Sequence, residues 1–166
     1  MEIQAVKRRR KAPPKTIQVA IFRRDLWLCC WCRKPVIFAP VMRLLELEVR
    51  ASGHTGTLTY YHAHWTRDGA PLLDELGAVI DHVEAFVRGG SDEQQNLCTS
   101  CCKCNGRKSS RLLAEWDQRI KSKPIEGRYG EPLHWDGLSS LFLVLAERRK
   151  PELTEIEREW FDALLR

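Results

Sequence analysis

The chain has 166 residues, of which 43% are hydrophobic and 30% charged, with a formal net charge of +5. This length suits one domain, or a small domain with helical additions, and no apolar run approaches the roughly 18 residues that a membrane span needs. The opening MEIQAVKRRRKAPPK is charged but has no apolar stretch behind it to act as a signal peptide, so a cytoplasmic protein with no membrane partner is expected.

Residues 1–15 read as a flexible basic arm. Lys7, Arg8, Arg9, Arg10, Lys11 and Lys15 carry no acidic neighbour, and Pro13-Pro14 removes amide donors and discourages helix. A helix follows, with Ile17, Ala20, Ile21 and Arg24 on one face, and runs out near Trp27. Residues 41–70 read as an inserted β-hairpin. Leu45, Leu47 and Val49 alternate with charged residues, a Gly-rich turn follows at Gly53–Gly56, and His62 and His64 share the second strand. Two polar side chains on an exposed strand face explain that histidine pair better than a second metal site.

Ala78 to Val83 reads as a strand ending in the polar pair Asp81-His82, and Arg88–Asp92 as a loop. Leu112, Leu113, Trp116 and Ile120 recur at helical spacing, so a helix is expected from about Lys103 to Lys121. Residues 122–136, with two prolines and two glycines, form a linker. Two short helices near 137–149 and 153–165 then finish the chain, split by Pro151, and Thr154 with Glu157 forms a capping box for the second. Leu138, Leu141, Phe142 and Leu145 make one apolar stripe there, and Ile156, Trp160, Phe161 and Leu164 another. Such stripes pack into a protein's own core or serve a protein interface, in the simplest case a homodimer.

Seven cysteines need an explanation, because disulfides are uncommon in a reducing cytosol and an odd count leaves one unpaired. Their spacing favours metal. Cys29 and Cys32 form one Cys-x-x-Cys, and Cys101 and Cys104 a second; together they supply four thiolates for a tetrahedral, structural Zn²⁺. Cys98 and Cys101 have the same spacing, but Cys98 falls on the strand after Leu97 while Cys104 opens the helix. Cys30, Cys98 and Cys102 then behave as small hydrophobes.

Beside this knot stand groups suited to phosphodiester hydrolysis. That reaction needs a deprotonated water and a cation on the scissile phosphate. A histidine has the right basicity for the first, and Asp or Asn oxygens suit Mg²⁺ for the second. His82 can act as base and Asp81 as ligand. Neighbours on a regular strand point to opposite faces, so the strand must end there for both to serve one site.

The pattern Arg24-Asp25, Asp81-His82, Gly89-Gly90-Ser91-Asp92, Asn96-Leu97, then Cys101, Cys104-Asn105 and Lys108 resembles the HNH endonuclease family. The resemblance covers residues 16–32 and 78–111 and best fits its zinc-stabilised members. It implies an α+β fold: a small ββα-metal core of one β-hairpin and one helix around a single catalytic Mg²⁺ or Mn²⁺. By the same resemblance His82 activates water, Asp81 and Asn105 bind the divalent cation, and Asn96 holds the hairpin and orients His82. Asn105 stands where many members have histidine, which favours a hard metal. The expected organisation is an arm (1–15), a nuclease domain with its inserted hairpin (16–122), and a C-terminal linker with helices (123–166).

The partner implied is DNA, double-stranded in the family's usual manner. Lys103, Arg107, Lys108 and Arg111 near the site, with Arg8, Arg9 and Arg10 on the arm, would meet phosphates. Glu84 is a further acidic group near the site, and His134-Trp135 reads as packing. The competing reading is a zinc-dependent nucleic-acid-binding module without catalysis, which would need the knuckles and the positive charge but not the Asp81, His82, Asn96 and Asn105 set.

Overall fold

The computed structural model describes residues 12–56, 71–116 and 134–166. The arm through Lys11 with Arg8, Arg9 and Arg10, the histidines His62 and His64, and residues 57–70 and 117–133 lie outside them. In chain order the described elements are α1 (Lys15–Arg24), α2 (Pro40–Ala51), α3 (Pro71–Leu76), β1 (Ala78–His82), β2 (Leu97–Cys101), α4 (Cys102–Lys108), α5 (Ser139–Arg148) and α6 (Glu155–Leu165). β1 and β2 pair antiparallel, with Ala78 opposite Cys101 and His82 opposite Leu97. Among the described residues the fold is α+β: one two-stranded hairpin with α4 leaving its second strand directly. No helix among the described residues is long and apolar enough to cross a membrane.

α1 begins just past Pro13-Pro14, as expected, and buries Val19, Ile21 and Phe22. The chain then folds back through Leu26 and Trp27, both at positive φ, into the first cysteine knuckle. The backbone of that knuckle is tied to the hairpin, since Cys30 N–H donates to the Thr99 carbonyl at 2.8 Å.

Two expectations change. Residues 40–51 are helix, not the first strand of an inserted hairpin. Pro40 sits in the first turn, where its missing N–H costs nothing. The segment is rich in Met, Leu, Glu and Arg, which are strong helix formers, and Glu46 pairs with Arg50 one turn on at 3.3 Å. The period-2 alternation of leucine and glutamate was too short to outweigh burial of Val41, Met42 and Leu44 along the helix. The second change is the helix expected to run to Lys121. α4 stops at Lys108, and Ser109 turns to φ 48°.

The C-terminal stripes are mostly spent on the chain's own core. Phe142, Leu145, Trp160 and Leu164 are buried. Phe38 meets both Phe142 and Trp160 edge-on, with ring centroids 5.1 Å apart in each case. Such aromatic pairs add about 0.5–1.5 kcal/mol beyond area burial. α5 packs on α2, and α6 on α1, so these helices brace the first two helices from behind. His134 is exposed, while Trp135 donates from Nε1 to the Val36 carbonyl at 2.7 Å, a packing role.

The capping box at α6 is present and does more than cap. The Glu157 side chain accepts from Thr154 N–H at 2.8 Å and is also gripped by the Arg43 guanidinium of α2. Burial opposes ionisation of Glu157, but Arg43 and the Thr154 amide outweigh it and hold the carboxyl below its usual range. A carboxyl depressed in the folded state adds stability above its unfolded pKa and loses it as pH falls through the folded value. Glu157→Gln is therefore expected to cost about 1–3 kcal/mol at pH 7. In urea melts across an acid series, the gap to wild type should close as the pH drops below the ordinary glutamate value of 4.5.

Candidate metal centre and active site

Cys29, Cys32, Cys101 and Cys104 converge, with all four Sγ atoms within 4.8 Å of one another. Tetrahedral zinc with Zn–S bonds of about 2.3 Å needs sulfurs roughly 3.8 Å apart. Cys32 Sγ and Cys101 Sγ already stand at 4.0 Å. The arrangement is compatible with structural zinc, and the 101/104 register is the one that assembles. Cys101 also caps α4, its Sγ accepting from Cys104 N–H at 3.4 Å.

The crowded thiols share protons unequally. Hydrogen bonds from Cys101 and Cys104 hold Cys29 far below the usual thiol range and lower Cys32 to about 7. Cys104 is pushed up by its bonds to Cys101 and Cys29. A divalent cation that takes thiolates would relieve that conflict. Cys30, by contrast, is pushed up by its bond to Cys98 and by burial, so it stays a protonated thiol outside the ligand set.

The hairpin carries the second cluster. β1 ends at His82, and the side chains of Asp81 and His82 diverge. Asp81 is buried toward α4, where its Oδ2 accepts from Trp31 Nε1 at 3.0 Å and lies 3.6 Å from Lys108 Nζ. Burial raises the Asp81 pKa against the opposing pull of Lys108 and Trp31. His82 turns to the loop side. Its Nε2 is 2.8 Å from Asp92 Oδ1, and its ring lies 5.9 Å from that of Phe86.

Asn96 braces the loop between the strands. Its Oδ1 accepts from Glu84 N–H at 2.8 Å, and its Nδ2 donates to the carbonyls of Glu84 and Ser91 at 3.0 and 2.9 Å. The loop is drawn in so tightly that a Cβ on Gly90 would stand 1.9 Å from the Glu84 oxygen, so only glycine fits. The Asn96 amide makes no bond to the His82 ring; what it holds is the loop that carries Asp92. Arg24 and Asp25 secure the other end. Arg24 donates to the carbonyls of Gln94 and Leu97, and Asp25 accepts from Thr99 N–H at 2.7 Å.

Lys108 corrects an expectation. It is fully buried, donating to the His82 carbonyl at 2.6 Å, with Nζ over the Trp31 ring. An ammonium held inside the protein cannot rest on an external phosphate. Lys103, Arg107 and Arg111 are exposed, although Lys103 is paired with Glu75 at 3.2 Å. Glu84 is exposed and contributes backbone, not carboxylate, to the Asn96 network.

Asn105 lies on α4 one turn before Lys108, half-buried, and its amide makes no hydrogen bond among the described residues. Asp81 and Asn105 thus offer hard oxygens, the chemistry Mg²⁺ or Mn²⁺ prefers. Lys108 is the competing cation at Asp81. Two participants escaped sequence reasoning: Trp31, hidden between the cysteines of the first knuckle, and Asp92, part of the glycine-rich loop motif.

These elements, a short hairpin, a helix leaving its second strand and a four-cysteine knot at the junction that could hold zinc, make a ββα arrangement. The HNH endonuclease family model matches residues 69–111, the segment that holds the hairpin and α4. No curated protein and no solved structure matches the chain.

Two outcomes are expected here. Purified protein should carry one zinc per chain by elemental analysis, and Cys104→Ser should lose it together with several degrees of Tm. Asn96→Ala, which strands the Glu84 and Ser91 backbone groups, should cost about 1–3 kcal/mol in denaturant melts while leaving the zinc content unchanged.

Proposed function

We propose that this protein is a DNA endonuclease that hydrolyses phosphodiester bonds with one divalent metal and His82 as general base. The observation that carries the reading is the HNH match over the segment in which β1 ends at His82, α4 brings Lys108 back to the His82 carbonyl and Asn96 locks the loop between the strands. The magnesium or manganese would be held by Asp81 and Asn105 and would supply charge to the scissile phosphate and the leaving oxygen. His82 takes the proton of the attacking water. Asn96 keeps the loop closed around the base, and Lys108 keeps the buried Asp81 carboxylate in place. Double-stranded DNA is the substrate proposed, met by Arg107 and Arg111 on the exposed side of the site and by the basic arm. A homodimer through α5 and α6 would draw on Val144, Ile156 and Leu165, which stay exposed.

One observation favours the second reading, a zinc-dependent module that binds nucleic acid without cutting it. The Lys108 ammonium already neutralises Asp81 from inside, and binding alone would need only the zinc knot and positive charge. The two readings part on a single assay. Full-length protein should nick or cut supercoiled plasmid with Mg²⁺ or Mn²⁺, and His82→Ala should lower the rate by at least about 10²-fold while keeping zinc and fold. Plasmid binding that persists in EDTA, with no cleavage under any metal, would establish the binding module instead.

A further inference from the structure

The His82 ring has a partner that the family resemblance did not supply. Asp92 sits in the loop between β1 and β2, ten residues past His82, and reaches back to place Oδ1 2.8 Å from Nε2. The two ends of this contact are unlike. The His82 side chain is 5% exposed and Asp92 48%. The ring is therefore held inside while the carboxylate stands at the rim.

An ionised carboxylate oxygen can only accept, so in this contact the ring donates from Nε2. That leaves the Nδ1 lone pair as the base. Fixing which nitrogen carries the proton is how a carboxylate makes a histidine useful without reacting itself. The loop geometry serves this contact. Asn96 Nδ2 holds the Ser91 carbonyl, one residue before Asp92, and Gly90 allows the close turn before it. Asn96 thus acts on His82 at a distance of one intermediary.

We propose that Asp92 is the positioning residue for His82, holding the ring as the Nε2–H tautomer with Nδ1 free to take the proton from water. This rests on the reading of His82 as the base. Asp92 bonds neither the substrate nor the attacking water in this scheme.

The test uses full-length zinc-loaded protein and three forms: wild type, Asp92→Ala and Asp92→Asn. Long-range ¹H–¹⁵N correlation reads the ring nitrogens of neutral His82, assigned by their loss in His82→Ala. Wild type is expected to show the Nε2–H tautomer and Asp92→Ala a mixture. Asp92→Asn, whose amide oxygen can still accept, should keep most of the wild-type pattern. In plasmid cleavage, Asp92→Ala should lower kcat by about 10- to 100-fold, part of the roughly 10²–10⁴ that general acid–base catalysis contributes. KM should stay within about twofold, and Asp92→Asn should lose less than Asp92→Ala.

An unchanged tautomer in Asp92→Ala overturns the proposal, whatever the rate does. So does weakened Mn²⁺ binding by electron paramagnetic resonance with the tautomer preserved, which would make Asp92 a metal ligand. If wild type cleaves nothing, the nuclease reading falls, and the tautomer measurement still decides the Asp92 contact on its own.

Discussion

The junction between β2 and α4 is the constraint on which the rest depends. Cys101 ends the strand and Cys104 lies in the first turn of the helix, and both must meet Cys29 and Cys32 from a knuckle far away in sequence. A two-stranded sheet with a two-turn helix has almost no core of its own. The thiol knot substitutes for one, because it pins the knuckle, the strand and the helix to a single point. The Cys30–Thr99 backbone bond and the Asp25–Thr99 bond then align the knuckle and the end of α1 along the strand. With β2 fixed from behind, β1 is positioned by pairing with it and by the Ala78 N–H bond to the Ile37 carbonyl and the Lys108 bond to the His82 carbonyl, and Asp81 and His82 arrive at its end.

From that point the two faces of one strand divide the work. Asp81 faces α4 and is enclosed by Trp31 and Lys108, so its charge is managed by the interior. His82 faces the loop and is managed by Asp92 at the rim. Alternation along the strand imposes this separation. Trp31 links the structural and chemical halves of the domain, since it belongs to the first cysteine knuckle and hydrogen-bonds the acid of the proposed site. A change at the knot would therefore be felt at Asp81 through a single side chain.

The regions outside the hairpin are not idle. α5 and α6 close over α1 and α2 and add Phe142 and Trp160 to the aromatic core, with Phe38 between them. Glu157 joins the α6 cap to Arg43 of α2, and Arg23 donates to the Leu164 carbonyl near the C-terminus. The C-terminal helices thus stabilise the α1 segment that leads into the first knuckle. Their apolar stripes look like an interface when read alone, yet Phe142, Leu145, Trp160 and Leu164 face inward.

Local signals in the sequence were enough to determine a good part of this protein. The paired Cys-x-x-Cys motifs, the strand ending in Asp81-His82, the capping box at Thr154 and the helices around Pro151 all rest on residues within a few positions of each other, where spacing dictates geometry. The register choice between Cys98 and Cys104 was also legible, because one lies on a strand and the other opens a helix. The tertiary structure decided what depended on distant partners. Residues 40–51 became helix because their apolar side faces α5, which no short window contains. Lys108 turned inward because Asp81 and the His82 carbonyl lie beneath it, and the helix ends there. Asp92 gained its meaning only once the loop closed and put a carboxylate on the imidazole, a contact set by the Asn96 brace and not by any spacing along the chain.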